Sequence, residues 1–225
     1  MLCLLTAALA GAALSAATCR MLWKRRMRRI VPPPEFLPPT ELTEWDRRNM
    51  AYHEAGHAVC SYYLPEREPL VKITISPSDE AFGMIRTAPR PHHNETRVSL
   101  ASTLAVMLAG RLSEELLLNE ITTSCVHDLA AARSIAEDMV FRFGMGTRVG
   151  VAIPARPEGA ASGIGGDPLV EADIRQLIRD AEGTARRILN EHRSAVERLA
   201  EKLLVCKTME RQEIQEFFTS FAEEA

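Results

Sequence analysis

Two histidines four positions apart, with a glutamate beside the first, are the residues of this chain best suited to chemistry: His53-Glu54-Ala55-Gly56-His57. On an α-helix, four residues advance by one turn plus roughly 40°, so both imidazoles face the same way and can clamp one metal ion. Glu54 then stands beside the open coordination position. Its carboxylate can take a proton from metal-bound water as the water attacks a peptide carbonyl, then deliver that proton to the departing amine. Zinc is the ion this pattern serves, and a catalytic zinc site needs a third protein ligand as well as an open position. The segment Thr122-Thr123-Ser124-Cys125-Val126-His127-Asp128 offers three candidates close together. Asp128, at the start of a predicted helix, is the first choice; the alternatives are that Asp128 is only an N-cap, or that Cys125 or His127 binds instead.

The elements that must hold these residues are mostly helical. The residues from Thr43 to Tyr63 suit a helix that Pro65 closes, and it carries the histidine pair. Leu70 to Ser76 alternates apolar and polar with β-branched residues, and Ala81 to Thr87 is a second short strand, so the two read as a hairpin. Asn94 to Asn119 and Asp128 to Phe143 show helical spacing, the second stopping before Gly144 and Gly146. Ala152 to Pro168 is a loop rich in Ala, Gly and Pro, and its Gly163-Ile164-Gly165-Gly166 lacks the Lys-Ser/Thr pair of a phosphate loop. One apolar stripe runs from Ile174 to Leu203, predicting a helical hairpin over Leu169 to Cys206, with a shorter helix through Phe217.

Before this domain, Met1 to Cys19 carries no charge, and at about 1.5 Å per residue its length matches the roughly 30 Å hydrocarbon core of a bilayer. Six of the 27 basic residues crowd between Arg20 and Arg29, directly after that run. This placement is expected of a membrane flank, with the body on the cytoplasmic side, and no basic, aromatic-interleaved surface points to nucleic acid. Five prolines between Ile30 and Thr40 predict an extended spacer. The boundaries are therefore 1–23 for a transmembrane anchor, 24–41 for the basic flank and Pro-rich linker, and 42–225 for the folded domain. The five cysteines are odd in number and lack CxxC spacing, which suits a reducing compartment. Cys60 reads as a small buried hydrophobe, His92 and His93 as solvated loop residues, and His192 as a helix-surface residue. Arg111, Glu114 and Glu115 read as a structural ion-pair cluster.

Four segments in order extend the pattern: HEAGHAV from His53, LVKITISP from Leu70, LAGRLSEELL from Leu108, and TTSCVHDLAAARSIAEDMVFRFGMG from Thr122. With the tail ILNEHRSAVERLAEKLL from Ile188, the chain resembles the peptidase domain of the FtsH family, the membrane-bound ATP-dependent zinc metalloproteases, over Thr43 to Phe218. The resemblance implies a mostly α, helical zinc-peptidase domain with a small β-sheet. It also implies His53, His57 and Asp128 as zinc ligands and Glu54 as the catalytic base. In that family substrates lie as an extended strand beside a sheet edge, which makes Phe82 to Arg86 a candidate for main-chain pairing, the alternative being an ordinary hairpin strand. Three departures stand out, one being that Ala152 to Pro168 matches the family poorly. The Pro-rich spacer occupies the place of the family's ATPase module, and Ser124-Cys125-Val126-His127 replaces the usual Gly-Ala-Ser-Asn.

The expected function is a zinc-dependent endopeptidase acting on unfolded or flexible protein segments near a membrane, alone or beside a separate ATPase, with self-association as a further expectation. The alternative is a catalytically weak or inactive adaptor that regulates a full-length FtsH-like protease.

Overall fold

The computed structural model describes residues 42–76, 83–89, 94–151 and 167–224. The expected anchor and linker, Phe82, His92, His93 and the glycine-rich part of the 152–168 loop lie outside them. Among the described residues, no helix is long and apolar enough to cross a membrane.

Helix α1 (Glu44–Tyr63) begins where the sequence says it should, because Thr43 and Asp46 form a capping box. The Thr43 hydroxyl oxygen accepts from the Asp46 N–H at 3.1 Å, and the Asp46 carboxylate accepts from the Thr43 N–H at 3.0 Å. Such caps typically contribute about 1 kcal/mol. From Ala51 to Ser61 every residue of α1 is buried, so this is the central helix, covered all round. Strands β1 (Leu70–Thr74) and β2 (Met84–Thr87) pair antiparallel as the predicted hairpin, with Ile73 opposite Ile85 and an irregularity between Leu70 and Lys72.

Helix α2 (Arg97–Ser113) is capped by the Thr96 hydroxyl and packs closely on α1. That closeness depends on Gly56, where a Cβ would meet the Ala109 carbonyl oxygen at 2.7 Å and the Ser113 side chain at 2.6 Å. At its C-terminal end α2 widens into a π-turn, Glu114–Leu118, and stops at Asn119, whose φ of 55° is left-handed. A 3₁₀ turn, Thr123–Cys125, then leads into α3 (Val126–Phe141).

Helices α4 (Pro168–Glu191) and α5 (Arg193–Cys206) cover the remaining faces, α4 against α2 and α3, α5 against α1. They correct the expected C-terminal hairpin. A single residue, His192, joins them, which is too short to reverse the chain into antiparallel contact, so the two meet at a bend. His192 itself is half-buried and stacks on Tyr63 with ring centroids 3.5 Å apart, rather than lying free on a helix surface.

After α5 the chain turns at Lys207, φ 63°, into β3 (Thr208–Glu210), then α6 (Arg211–Glu224), which runs past the predicted end at Phe217. β3 pairs antiparallel with β1, giving the sheet order β2-β1-β3 and leaving β2 as an edge strand. Ile73 and Met209 lie opposite each other, both fully buried, and α6 packs against β1.

Candidate metal centre

Helix α1 presents His53 and His57 from successive turns, their ring centroids 4.6 Å apart and their Nε2 atoms 3.0 Å apart. Asp128 arrives from the first turn of α3, its Oδ2 3.1 Å from His53 Nε2 and 3.3 Å from His57 Nε2. Asp128 is not the N-cap. That position belongs to Cys125, which makes no side-chain cap bond, so the Asp128 carboxylate is turned instead to the imidazoles. Among the described residues, the group that could hold a metal ion is His53, His57 and Asp128. The rival candidates stay out of it: the Cys125 thiol donates to the Thr122 carbonyl at 3.3 Å, and His127 is exposed.

Which ring nitrogens face the centre is fixed from behind. His57 Nδ1–H donates to the Val106 carbonyl at 2.7 Å, and His53 Nδ1–H donates to Glu114 Oε1 at 2.6 Å. As neutral imidazoles, both histidines therefore point an Nε2 lone pair inward, at one another and at a carboxylate oxygen. Three acceptors 3.0–3.3 Å apart repel unless a cation lies among them. Those edges match the roughly 3.3 Å separation of neighbouring ligands around a tetrahedral zinc with bonds of about 2.0–2.1 Å.

The electrostatics also call for positive charge here, which a proton on His53 can supply in place of an ion. Burial alone pulls the His53 pKa down, but hydrogen bonds to Asp128 and Glu114 and the nearby Glu54 charge overcome it and carry it up to about 9. Burial pushes the Asp128 carboxyl up, yet its bonds to His53 and His57 hold it well below the usual carboxylate range.

Space has also been left for an ion. A Cβ on Gly110 of α2 would fall 2.5 Å from His57 Nε2 and 2.6 Å from His53 Nε2, so any side chain there would fill the space in front of both nitrogens. Glu54, buried on α1, lies against the bend that opens β2, where a Cβ on Gly83 would come within 2.6 Å of its Oε1. Burial raises the pKa of Glu54, against the opposing pull of His57 and His53.

Residues 40–217 match the family described as Peptidase family M41. The chain belongs to this family. It is similar to the ATP-dependent zinc metalloprotease FtsH of Thermobaculum terrenum, at 34% identity over 78% of this chain and 29% of the relative. It is also similar to the ATP-dependent zinc metalloprotease YME1L1 of Homo sapiens, at 35% identity over 79% of this chain and 24% of the relative. The FtsH of Nitrosococcus oceani is 31% identical over 82% of this chain and 31% of its own length. The chain therefore spans about a quarter to a third of the length of these curated relatives.

Within this M41 domain the residue that sequence reasoning misplaced is Glu114. Of the expected ion-pair cluster only Arg111 and Glu115 pair, at 2.9 Å, with Arg186 joining Glu115 at 3.1 Å. Glu114 leaves them for the interior, where its side chain is fully buried. Besides His53 it accepts from the Thr122 N–H at 2.9 Å and the Ser124 hydroxyl at 2.9 Å. Burial pushes its pKa up, but these donors, His53 first, bring it below the ordinary carboxylate value. A signal was present: Val106, Gly110 and Glu114 fall at four-residue spacing, so Glu114 prolongs the face of α2 that meets the histidines. Cys60 is, as expected, a buried small side chain, its thiol pushed up to about 12 by burial.

Proposed function

We propose that this chain is a zinc-dependent endopeptidase acting on unfolded or flexible protein segments, with residues 42–225 as the peptidase domain, 1–23 as a membrane anchor and 24–41 as the linker. The observation that carries the reading is the convergence of His53 Nε2, His57 Nε2 and Asp128 Oδ2 at 3.0–3.3 Å, with Glu54 buried on the same helix. The names of the relatives, ATP-dependent zinc metalloproteases, support zinc as the ion.

His53, His57 and Asp128 would hold the zinc, Glu114 and the Val106 carbonyl keeping the two rings turned toward it. Zinc in such a site supplies Lewis acidity, polarising a peptide carbonyl and activating water near neutral pH. Glu54 takes the proton of the attacking water and returns it to the departing amine; its raised pKa suits a group that must carry that proton between the two steps. The free edge of β2, which begins beside the Glu54 carboxylate at Gly83, accepts an extended peptide by main-chain pairing. A strand can be presented this way only if it is already unfolded, so folded substrates must be unfolded first.

The test is hydrolysis of casein by the zinc-loaded chain and by Glu54→Gln. The expected outcome is a loss of at least about a hundredfold in the variant, in line with the removal of a general base. Equal rates would remove Glu54 from the mechanism; no hydrolysis by either protein, with no bound zinc and co-purification of a full-length FtsH-like protease, would support the adaptor reading instead.

A further inference from the structure

Glu114 joins the two parts of the chain that carry His53 and Asp128. His53 stands on α1, and Asp128 follows the 3₁₀ turn Thr123–Cys125. Ser124, in that turn, sends its hydroxyl inward. Ser124 Oγ lies 2.9 Å from Glu114 Oε1, the same oxygen that takes the His53 Nδ1 proton, and 3.3 Å from His53 Nδ1 itself. Thr122 Oγ1 lies 2.7 Å from Ser124 Oγ, and the Thr122 N–H reaches Glu114 Oε2 at 2.9 Å.

The protons can be assigned throughout. The Thr122 hydroxyl donates to Ser124, the Ser124 hydroxyl donates to Glu114 Oε1, and His53 Nδ1–H donates to the same oxygen. Glu114 is an acceptor on both oxygens, so each donor has one place to go. Removing the Ser124 hydroxyl leaves Glu114 its His53 and Thr122 donors but breaks its side-chain tie to the turn before Asp128.

We infer that Ser124 is a positioning residue for the metal centre, its hydroxyl tying the Asp128-bearing turn to the Glu114 carboxylate that aims His53. The inference rests on the zinc reading above. Ser124 is exposed apart from this reach inward, so little packing depends on it, and its part in the fold and in the site can be separated.

The experiment measures zinc affinity of the full chain by competition with a chromogenic chelator, for the parent, Ser124→Ala and Ser124→Thr. Melting of the zinc-stripped proteins is measured alongside. Direct hydrogen-bond partners of metal ligands are commonly worth about 10- to 100-fold in affinity, so a hydroxyl one step further out should be worth roughly 3- to 10-fold. Ser124→Ala is expected to bind zinc that much more weakly, Ser124→Thr to restore most of the affinity, and all three stripped proteins to melt together. The inference is overturned if Ser124→Ala binds as tightly as the parent, if Ser124→Thr is as weak as Ser124→Ala, or if stripped Ser124→Ala melts well below the parent. A parent chain that binds no zinc would instead overturn the reading on which the inference rests.

Discussion

Both imidazoles of the metal centre are held by groups that bind no metal. The Val106 carbonyl orients His57, Glu114 orients His53, and Gly110 contributes by having no side chain at all. In a helix interior, exchanging glycine for alanine ordinarily stabilises by about 0.5–1 kcal/mol. At Gly110 the new methyl would fall 2.5–2.6 Å from the two Nε2 atoms, and the rings cannot retreat without giving up their Nδ1 bonds. Gly110→Ala is therefore expected to lose zinc almost completely, and its stripped form to melt below the stripped parent, because the clash with the two buried rings outweighs the helix gain. Zinc content by elemental analysis and thermal melting check both halves; a fully loaded Gly110→Ala protein would show that the space above this glycine is not where the ion sits. His53, Glu54 and His57 were legible from the sequence because their spacing alone sets their geometry. Asp128 was legible only as one of three candidates, because the contact that selects it spans 75 positions and depends on the turn at Thr123–Cys125. Glu114 was misread because two adjacent glutamates look alike in sequence, while only one falls on the inward stripe.

The elements that carry the site are pinned at points the metal does not touch. After α3, residues 144–151 wrap the Asp173 carboxylate of α4. It accepts from the Thr147 hydroxyl at 3.0 Å, the Arg148 N–H at 2.9 Å and the Val149 N–H at 3.0 Å, with the Arg148 guanidinium at 3.1 Å. Gly146 permits this, since a Cβ there would come within 2.5 Å of Asp173 Oδ2. Burial pushes the Asp173 pKa up, but the surrounding N–H and hydroxyl donors reverse it and leave it lowered. A depressed folded-state pKa contributes stability that is fully present above the unfolded value of about 3.9 and lost as pH falls through the folded one. The melting-temperature gap between the parent and Asp173→Asn should accordingly be widest above pH 4 and shrink as pH is lowered toward 2; a gap independent of pH would assign the effect to packing. The sequence announced α1 through the run from Thr43 that Pro65 closes, and α3 through Gly144. It did not announce β3, because three residues acquire strand character only by pairing with β1. Nor did it show the π-turn at Glu114–Leu118, whose wider pitch is invisible in a helical apolar pattern.

For the whole molecule, the described part is one helical peptidase domain of family M41, matched over residues 40–217. It buries α1 from Ala51 to Ser61, so the histidine pair sits on a helix covered all round, while β2 stays at the edge of the sheet. A buried site beside a sheet edge fits the proposed cleavage of segments that arrive already extended. All of this depends on a single cation held by two imidazoles of α1 and one carboxylate of α3. The direct measurement is zinc per chain, by elemental analysis of the purified parent and of Asp128→Ala, with circular dichroism to establish that both are folded. The account predicts about one zinc in the parent, as expected for a three-ligand catalytic site, and almost none in Asp128→Ala. A folded parent without zinc, or an Asp128→Ala protein that keeps its full complement, would contradict it.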